Sequence, residues 1–231
     1  MYLGNFVKNI EKKYSQLNFS GLAFNSKHVK KNNIFFAIKG NEVDGNNYID
    51  DAIRRGARII ISDKNLKIKK NIVFIKNKNP RKLLSELSYQ LMTKKPKNLI
   101  AVTGTNGKSS VSNFYHQILN LNKKKSASIG TIGIQHDNKT MPISNTTLDP
   151  IQLREILVYL VKKEKNNIIL EASSHGLKQN RLDGLYFDIG IFTNLSHDHL
   201  DYHKNFSDYL NSKLYLFKNL IKKKGIIISD K

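Results

Sequence analysis

Short apolar runs rich in β-branched residues recur along the chain and alternate with stretches of helical periodicity. In the first part of the chain, such runs at residues 34–38, 58–62 and 71–75 predict three β-strands. Apolar residues at three- to four-residue spacing predict helices between residues 48 and 56 and over residues 81–92. These elements form a first strand-and-helix unit.

The same alternation continues in the second part of the chain. The apolar runs predict strands at residues 98–102, 167–170, 188–192 and 225–228. Helices are predicted at residues 109–121, 151–163 and 206–222. Near-continuously apolar strands that alternate with helices are typical of an α/β fold with a mostly parallel sheet covered on both faces. Such sheets bind ligands beyond the carboxyl ends of their strands.

A lysine- and proline-containing segment at residues 94–97 separates the two units. We therefore expect a small N-terminal domain at residues 1–96 and a second domain at residues 97–231. An α/β domain rarely stops just after a strand, and only residues 229–231 follow the last predicted one. The second domain is thus expected to be incomplete, and the chain to be a fragment.

The residue composition excludes cysteine-based sites and a membrane-spanning helix. The 231 residues contain no cysteine, which excludes disulfides, thiolate metal sites and a cysteine nucleophile. No apolar run reaches the roughly 18 residues that a membrane span needs. We expect a cytoplasmic protein without membrane insertion.

The net charge of +21 raises the alternative of a polyanionic partner. However, the basic residues are 33 lysines scattered along the chain and only 6 arginines, and arginine is the residue favoured for base and bidentate phosphate recognition. We interpret the charge as a compositional bias and expect no specific nucleic-acid partner.

A glycine-rich turn follows the predicted strand at residues 98–102 and precedes a helix. It consists of Gly104, Thr105, Asn106, Gly107, Lys108, Ser109 and Ser110. Backbone N–H groups of such a turn converge on phosphate oxygens at a helix N-terminus, a lysine reaches the terminal phosphates, and a serine hydroxyl holds Mg²⁺. The general phosphate-loop pattern has glycine where Val102 stands, so a glycine-tolerant tight turn is the alternative. The order of strand, turn and helix favours nucleotide binding.

Two further groups of polar residues follow predicted strands. Glu171 ends the strand at residues 167–170, where a carboxylate could meet a phosphate-bound Mg²⁺. Three of the seven histidines lie within residues 197–203, beside aspartates and after another strand. They could ligate a second cation or position a phosphate; a polar surface loop and an unrelated zinc site are the alternatives.

The second unit resembles the ATP-dependent Mur ligases of peptidoglycan synthesis. The resemblance is carried by the glycine-rich turn and by further motifs at residues 145–147, 171–175, 192–195, 198–203 and 209–217. In the first unit, residues 25–27, 34–37 and 44–57 are similar to the UDP-binding domain of the branch that adds the third amino acid. The resemblance covers nearly the whole chain, but only about half of a typical ligase. The missing part would include a C-terminal domain that recognises the amino acid.

The resemblance implies roles for individual residues. ATP would bind the glycine-rich turn, and Ser109 with Glu171 would hold a first Mg²⁺. His199 and Lys213 would serve a second Mg²⁺, with Lys213 as an N6-carboxylysine (carbamate) formed with CO₂. Lys108, Glu171, His199 and Lys213 would be the catalytic set. The uridine end of the substrate would contact Phe24, Ser26, Asn41, Glu42 and Val43. The muramoyl dipeptide would contact Asn145, Thr146, Thr147, Ser173, Gln179 and Arg181.

The implied activity is an ATP-dependent carboxylate–amine ligase that acts through an acyl phosphate. It would add a diamino acid, meso-diaminopimelate or in some relatives lysine, to UDP-MurNAc-L-Ala-D-Glu, with a monomer expected and the fragment alone inactive. The alternatives are another ligase of the superfamily, such as a folylpolyglutamate synthetase, and a basic nucleic-acid-binding ATPase. Binding of a uridine nucleotide would favour the muramoyl branch, whereas salt-sensitive RNA or DNA binding would favour the ATPase.

Overall fold

The chain divides into two compact units, Met1–Leu91 and Met92–Lys231. The structure, a computed structural model, describes residues 1–7, 11–40, 43–66, 70–199 and 201–230. The predicted linker at residues 94–97 lies just inside the start of the second unit.

The smaller unit contains a four-stranded, fully parallel sheet with the order β1-β2-β3-β4. Its strands are β1 (Gly21–Ala23), β2 (Asn33–Ala37), β3 (Ile59–Ser62) and β4 (Val73–Lys76). Its helices are α1 (Lys12–Ser15), α2 (Ile49–Arg54) and α3 (Pro80–Gln90). All residues of β2 and β3 are buried, as expected of inner parallel strands, and Phe35, Ile60 and Ala52 share one hydrophobic cluster.

The larger unit contains a seven-stranded sheet with the order β11-β10-β5-β9-β6-β7-β8. Its strands are β5 (Asn98–Thr103), β6 (Ser126–Gly130), β7 (Gly133–His136), β8 (Lys139–Met141), β9 (Asn167–Glu171), β10 (Phe187–Phe192) and β11 (Ile221–Ser229). The first five strands in the spatial order pair in parallel, and β7 and β8 add an antiparallel edge. The predicted α/β class and the mostly parallel sheet are confirmed.

The helices of this unit are α4 (Lys108–Leu121), α5 (Pro150–Lys162), α6 (Ser174–Lys178) and α7 (Phe206–Tyr215). Three of them begin with a side chain that accepts a hydrogen bond from a backbone N–H of the first turn: Asp149 for α5, Ser173 for α6 and Asn205 for α7. Such caps satisfy N–H groups that have no partner within the helix, and Pro150 occupies a first-turn position where no N–H is needed.

The predicted helix at residues 206–222 was wrong at its end. Helix α7 continues as one wide turn, Leu216–Leu220, and β11 then begins at Ile221. The register pairs Ile221 with Phe187 of β10, and the space beside Gly190 is filled by the side chain of Ile221. In the sequence, the lysines at residues 222–224 look like the exposed face of a helix. Pairing with β10 instead makes them part of β11, which therefore begins before the predicted residue 225.

Strands β1, β6, β7 and β8 were not predicted. All residues of β6 are buried, but four of its five residues are serine, alanine or glycine, so it lacks the apolar run that identified the other strands. Small side chains leave no signal of periodicity even where the strand is central to a sheet. In the described part of the chain, no helix combines the length and apolarity that crossing a membrane requires.

A buried histidine links α4 to β6. The Nδ1 atom of His116 lies 2.9 Å from the hydroxyl of Ser126, and its Nε2 atom lies 3.1 Å from the side-chain amide of Asn120. Burial lowers the pKa of His116, and the nearby positive charge of Lys165 lowers it further. The folded protein therefore favours the neutral imidazole.

We expect the free energy of unfolding to fall as the pH is lowered from about 7.5 to about 5.5. The unfolded chain takes up a proton near the ordinary histidine pKa of about 6.5, whereas folded His116 resists protonation, so acid favours the unfolded state. His175 and His203, whose pKa values are also lowered by burial, act in the same direction. Urea unfolding at several pH values measures the slope of the free energy of unfolding against pH.

His116→Gln is expected to reduce this slope. The matched control is His197→Gln, which changes an exposed histidine of the same unit. An unchanged slope in His116→Gln would contradict the assignment.

Candidate functional site

The glycine-rich turn lies at the carboxyl end of β5 and is held by the segment that follows β10. The backbone N–H of Thr105 donates to the carbonyl oxygen of Asn194 at 2.9 Å, and that of Asn106 donates to the side-chain oxygen of Asn194 at 2.9 Å. Gly104 has φ of +149°, and a Cβ there would lie 1.9 Å from Oγ1 of Thr193. Only glycine therefore fits between the turn and its support.

Lys108 is the first residue of α4 and folds across the turn. Its Nζ donates to the carbonyl oxygens of Gly104 at 2.9 Å and of Thr105 at 2.7 Å. Burial lowers the pKa of Lys108, while the negative charges of Glu171 and Asp198 oppose the shift. Among the other predicted nucleotide contacts, Gly104 and Thr105 are buried, Ser109 is half-buried like Lys108, and Asn106, Gly107 and Ser110 are exposed.

Glu171 lies next to the turn because β9 pairs with β5, with Glu171 opposite Val102. The residue is 2% exposed. Its Oε1 accepts from the backbone N–H of Thr131 at 3.0 Å, and its Oε2 accepts from the hydroxyl of Thr131 at 3.1 Å. The arrangement fits a hard cation, because a carboxylate lies at the same edge of the sheet as the glycine-rich turn and Ser109 at the start of α4.

Lys213 is the least expected member of the site. It projects from α7 and is 1% exposed. Its Nζ donates to the carbonyl oxygen of Gly104 at 2.6 Å and lies 4.4 Å from the ring centre of Tyr209. Burial lowers the pKa of Lys213 to about 7, and the like charge of Lys108 adds to this, while Asp198 opposes it. A substantial fraction of this amine is therefore neutral, and nucleophilic, near pH 7.

Tyr209 links the lysine to the phosphate loop. It is fully buried, and its hydroxyl lies 3.0 Å from Oγ1 of Thr105, which also accepts from the backbone N–H of Ser196 at 3.0 Å. Sequence reasoning gave no role to Tyr209, nor to Thr131 beside Glu171. A signal for Tyr209 existed, since it precedes Lys213 by one helical turn, whereas Thr131 follows a strand that was not recognised.

A cluster of histidines lies beyond β10. The rings of His175 and Tyr202 lie 3.9 Å apart, and His199 lies 5.0 Å from His175. His199 is exposed, has φ of +53°, and its Nε2 lies 3.6 Å from Asp198. Within the described residues, no three histidine, aspartate or glutamate side chains are arranged to hold a metal ion by themselves. A cation near His199 would therefore need further ligands from a bound nucleotide or a modified side chain.

Four of the residues predicted to contact the muramoyl dipeptide form one hydrogen-bonded network. The hydroxyl of Thr147 donates to the backbone carbonyl of Glu171 and accepts from the N–H of Ser173, both at 2.9 Å. Arg181 donates to the backbone carbonyl of Thr147 and to the side-chain oxygen of Gln179.

The other two residues of this set lie alongside. The hydroxyl of Thr146 lies 3.0 Å from that of Thr131, and Asn145 is exposed, with its side chain near Ser144. Thr147 thus contacts the main chain of Glu171 directly, and Thr146 is connected to the carboxylate of Glu171 through Thr131.

The predicted uridine contacts belong to the smaller unit. Phe24 and Ser26 follow β1 and Val43 follows β2, and these adjacent parallel strands end at the same edge of the sheet. Phe24 and Val43 are exposed, whereas Ser26 is buried and hydrogen-bonds the carboxylate of Asp51. The predicted contacts Asn41 and Glu42 lie outside the described residues.

Comparison with known proteins gives two family matches. Residues 102–231 match the Mur ligase middle domain, and residues 18–91 match the catalytic domain of the Mur ligase family. Two curated relatives are named UDP-N-acetylmuramoyl-L-alanyl-D-glutamate–2,6-diaminopimelate ligase. The protein from Rickettsia conorii is 45% identical over 227 residues, which are 95% of this chain and 47% of the relative. That from Bradyrhizobium diazoefficiens is 40% identical over 219 residues, which are 95% of this chain and 45% of the relative.

A solved structure of a ligase with the same name superposes with a TM-score of 0.83 at 27% identity, over 99% of this chain and 52% of that one. The chain therefore spans about half the length of the curated relatives it matches. Both units and almost every residue fall within these matches, and the chain belongs to the Mur ligase family.

Proposed function

We propose that this chain provides the UDP-sugar-binding unit and the ATP-binding unit of an ATP-dependent ligase that adds a diamino acid to UDP-MurNAc-L-Ala-D-Glu. The observation that carries the proposal is the convergence of Lys108, Lys213 and Glu171 on one glycine-rich turn. The names of the curated relatives favour meso-diaminopimelate as the added amino acid and do not favour the folylpolyglutamate alternative. Lysine remains the alternative within the branch. The proposal includes a cytoplasmic monomer without a nucleic-acid partner.

The turn and α4 would hold the phosphates of ATP. The N-terminus of this long helix offers free N–H groups and a positive dipole end to an anion. Lys108 would turn from the carbonyl groups of Gly104 and Thr105 to the terminal phosphates and neutralise charge that develops during transfer. Ser109 and Glu171 would ligate a first Mg²⁺, and His199 with Lys213 a second. Bound Mg²⁺ would stabilise negative charge on the transferred phosphoryl group.

The reaction needs activation because a carboxylate is a poor electrophile. The γ-phosphoryl group of ATP would pass to the D-Glu side-chain carboxylate, giving an acyl phosphate and ADP. The amine of the diamino acid would then attack the carbonyl carbon, and phosphate would leave as the amide forms. Asn145, Thr146, Thr147, Ser173, Gln179 and Arg181 would hold the dipeptide close to the phosphates, where positioning supplies much of the rate. The uridine end would contact Phe24, Ser26, Asn41, Glu42 and Val43.

Lys213 would act as a carbamate. An ammonium group cannot ligate a cation, whereas a carbamate is an anion that offers two oxygen atoms, as a carboxylate does. The neutral amine would attack CO₂, a C–N bond would form, and one proton would leave to solvent. The lowered pKa supports this step because it makes the neutral amine available, and Lys108 would offset the new negative charge.

The first prediction concerns nucleotide binding by the chain. We expect Lys108→Ala to weaken ATP binding by at least about tenfold, because a hydrogen bond to a charged group contributes about 1.5–3 kcal/mol. Isothermal titration calorimetry measures the dissociation constant. Lys124→Ala, which changes an exposed lysine shortly after α4, is the control and should bind as the unaltered chain does. Equal affinity of Lys108→Ala and the control would refute the role of Lys108.

The second prediction concerns the carbamate. At a fixed pressure of ¹³CO₂, we expect a ¹³C NMR carbamate signal from Lys213 that grows as the pH rises from 6 to 8, because the protonated amine does not react and the pKa of Lys213 is about 7. Lys213→Ala should remove the signal, and Lys218→Ala, at an exposed position on the following turn, should keep it. A Lys213→Ala spectrum that has lost no carbamate signal relative to the unaltered chain would exclude this site.

The third prediction separates the muramoyl branch from the other ligases. We expect the chain to bind UDP-MurNAc-L-Ala-D-Glu more tightly than UDP-MurNAc-L-Ala, because the residues around Arg181 would contact the D-Glu part. Competition against a fluorescent uridine nucleotide measures both affinities. Binding of a folate without binding of either uridine compound would overturn the proposed function.

A further inference from the structure

A short hairpin turn lies directly over Glu171. Strand β6 ends at Gly130 and β7 begins at Gly133, so only two residues connect them. Because β6 pairs in parallel with β9, with Ile129 opposite Leu170, the turn reaches the same edge as Glu171. A Cβ at Gly130 would lie 2.1 Å from Oε1 of Glu171. The turn and the carboxylate are therefore in direct contact, and a side chain at Gly130 would displace the carboxylate.

Thr131 occupies both oxygens of that carboxylate. Its backbone N–H reaches Oε1 and its hydroxyl reaches Oε2 of Glu171. Two bonds from one residue fix both the position and the rotation of the carboxylate plane, and each oxygen keeps a lone pair for a cation. Thr131 itself is exposed, while Glu171 is buried. Thr131 therefore holds the buried carboxylate of Glu171 from the solvent-exposed side of the site.

The hydroxyl of Thr131 also lies 3.0 Å from the hydroxyl of Thr146. A hydroxyl carries a single hydrogen, and an ionised carboxylate only accepts. Thr131 must therefore donate to Glu171 and accept from Thr146. The bonds run in one direction, from Thr146 through Thr131 to Glu171, and connect the segment of the dipeptide contacts to the magnesium carboxylate.

We propose that Thr131 is a positioning residue that orients Glu171 for Mg²⁺ and couples this carboxylate to Thr146. The inference rests on the proposed function, since it assumes that Glu171 is the magnesium ligand. Thr131 does not itself contact the cation. Thr131 hydrogen-bonds the proposed metal ligand and orients it. Loss of such a hydrogen bond weakens metal binding even though the ligand itself remains.

The test uses the chain and a non-hydrolysable ATP analogue, with calorimetric titrations at increasing Mg²⁺ concentration. The measured quantity is the Mg²⁺ concentration that gives half of the metal-dependent gain in nucleotide affinity. We expect Thr131→Val to raise this concentration by about tenfold, the lower end of the effect of such partners. Nucleotide affinity without Mg²⁺ should be unchanged, because the phosphate loop is not altered.

Two matched variants separate orientation from folding. Thr131→Ser keeps both donors and should behave as the unaltered chain. Thr140→Val removes an exposed threonine hydroxyl on β8, away from Glu171, and should also have no effect. Thr131→Ala repeats the loss of the hydroxyl without the bulk of valine, and thermal unfolding checks that each variant is folded.

The coupling between Thr131 and Thr146 is tested separately, by comparing the two single variants with the double variant. Thr146→Val should raise the half-maximal Mg²⁺ concentration by less than Thr131→Val does, and should add nothing in the Thr131→Val background. Fully additive effects would overturn the coupling, because they would show that the two hydroxyls act independently.

The outcomes also separate this inference from the function on which it rests. If the unaltered chain binds the analogue with a gain from Mg²⁺ but Thr131→Val and Thr131→Ala show the same dependence, the positioning role is refuted and the proposed function stands. If the unaltered chain shows no gain from Mg²⁺, the assignment of Glu171 fails, and the role of Thr131 fails with it.

Discussion

The candidate site of the larger unit depends on the parallel pairing of β5, β9 and β10. Parallel strands end at one edge, so the glycine-rich turn after β5, Glu171 at the end of β9 and the loop after β10 meet there. The loop after β10 then supports the turn through Asn194. A different strand order would leave each of these segments intact and would separate them in space.

Electrostatics give this edge its chemical character. The side-chain nitrogen atoms of Lys108 and Lys213 both donate to the carbonyl oxygen of Gly104, so the two amines lie close together, with Lys213 buried and Lys108 half-buried. Burial lowers the pKa of both lysines, and for Lys213 the positive charge of Lys108 lowers it further. A polyphosphate would relieve the repulsion between the two lysines, and conversion of Lys213 to an anion would relieve it as well. The site is thus arranged for anions and, with Glu171, for the cations that accompany them.

Supporting residues come from parts of the chain that are distant in sequence. Tyr209 on α7 holds Thr105 of the turn and lies under the ammonium group of Lys213. Thr131 of the β6–β7 hairpin holds Glu171. Both act on residues that were recognised from local motifs; Tyr209 lies in one of the family motifs but received no role there, and Thr131 lies outside all of them. Their roles follow from hydrogen-bonding geometry alone.

Short-range patterns were enough to predict the α/β class, most inner strands, the glycine-rich turn between β5 and α4, and the place of Glu171 at the end of an apolar strand. The burial of Lys213 became visible from the folded structure, since in a chain with 33 lysines nothing local distinguishes a buried amine from a solvated one. The same holds for β6, whose small residues carry no periodicity, and for the end of α7, where pairing of Ile221 with β10 overrides the helical pattern. Both burial and strand pairing depend on contacts with segments that are distant in the sequence. A local pattern contains no information about which distant segment will make those contacts.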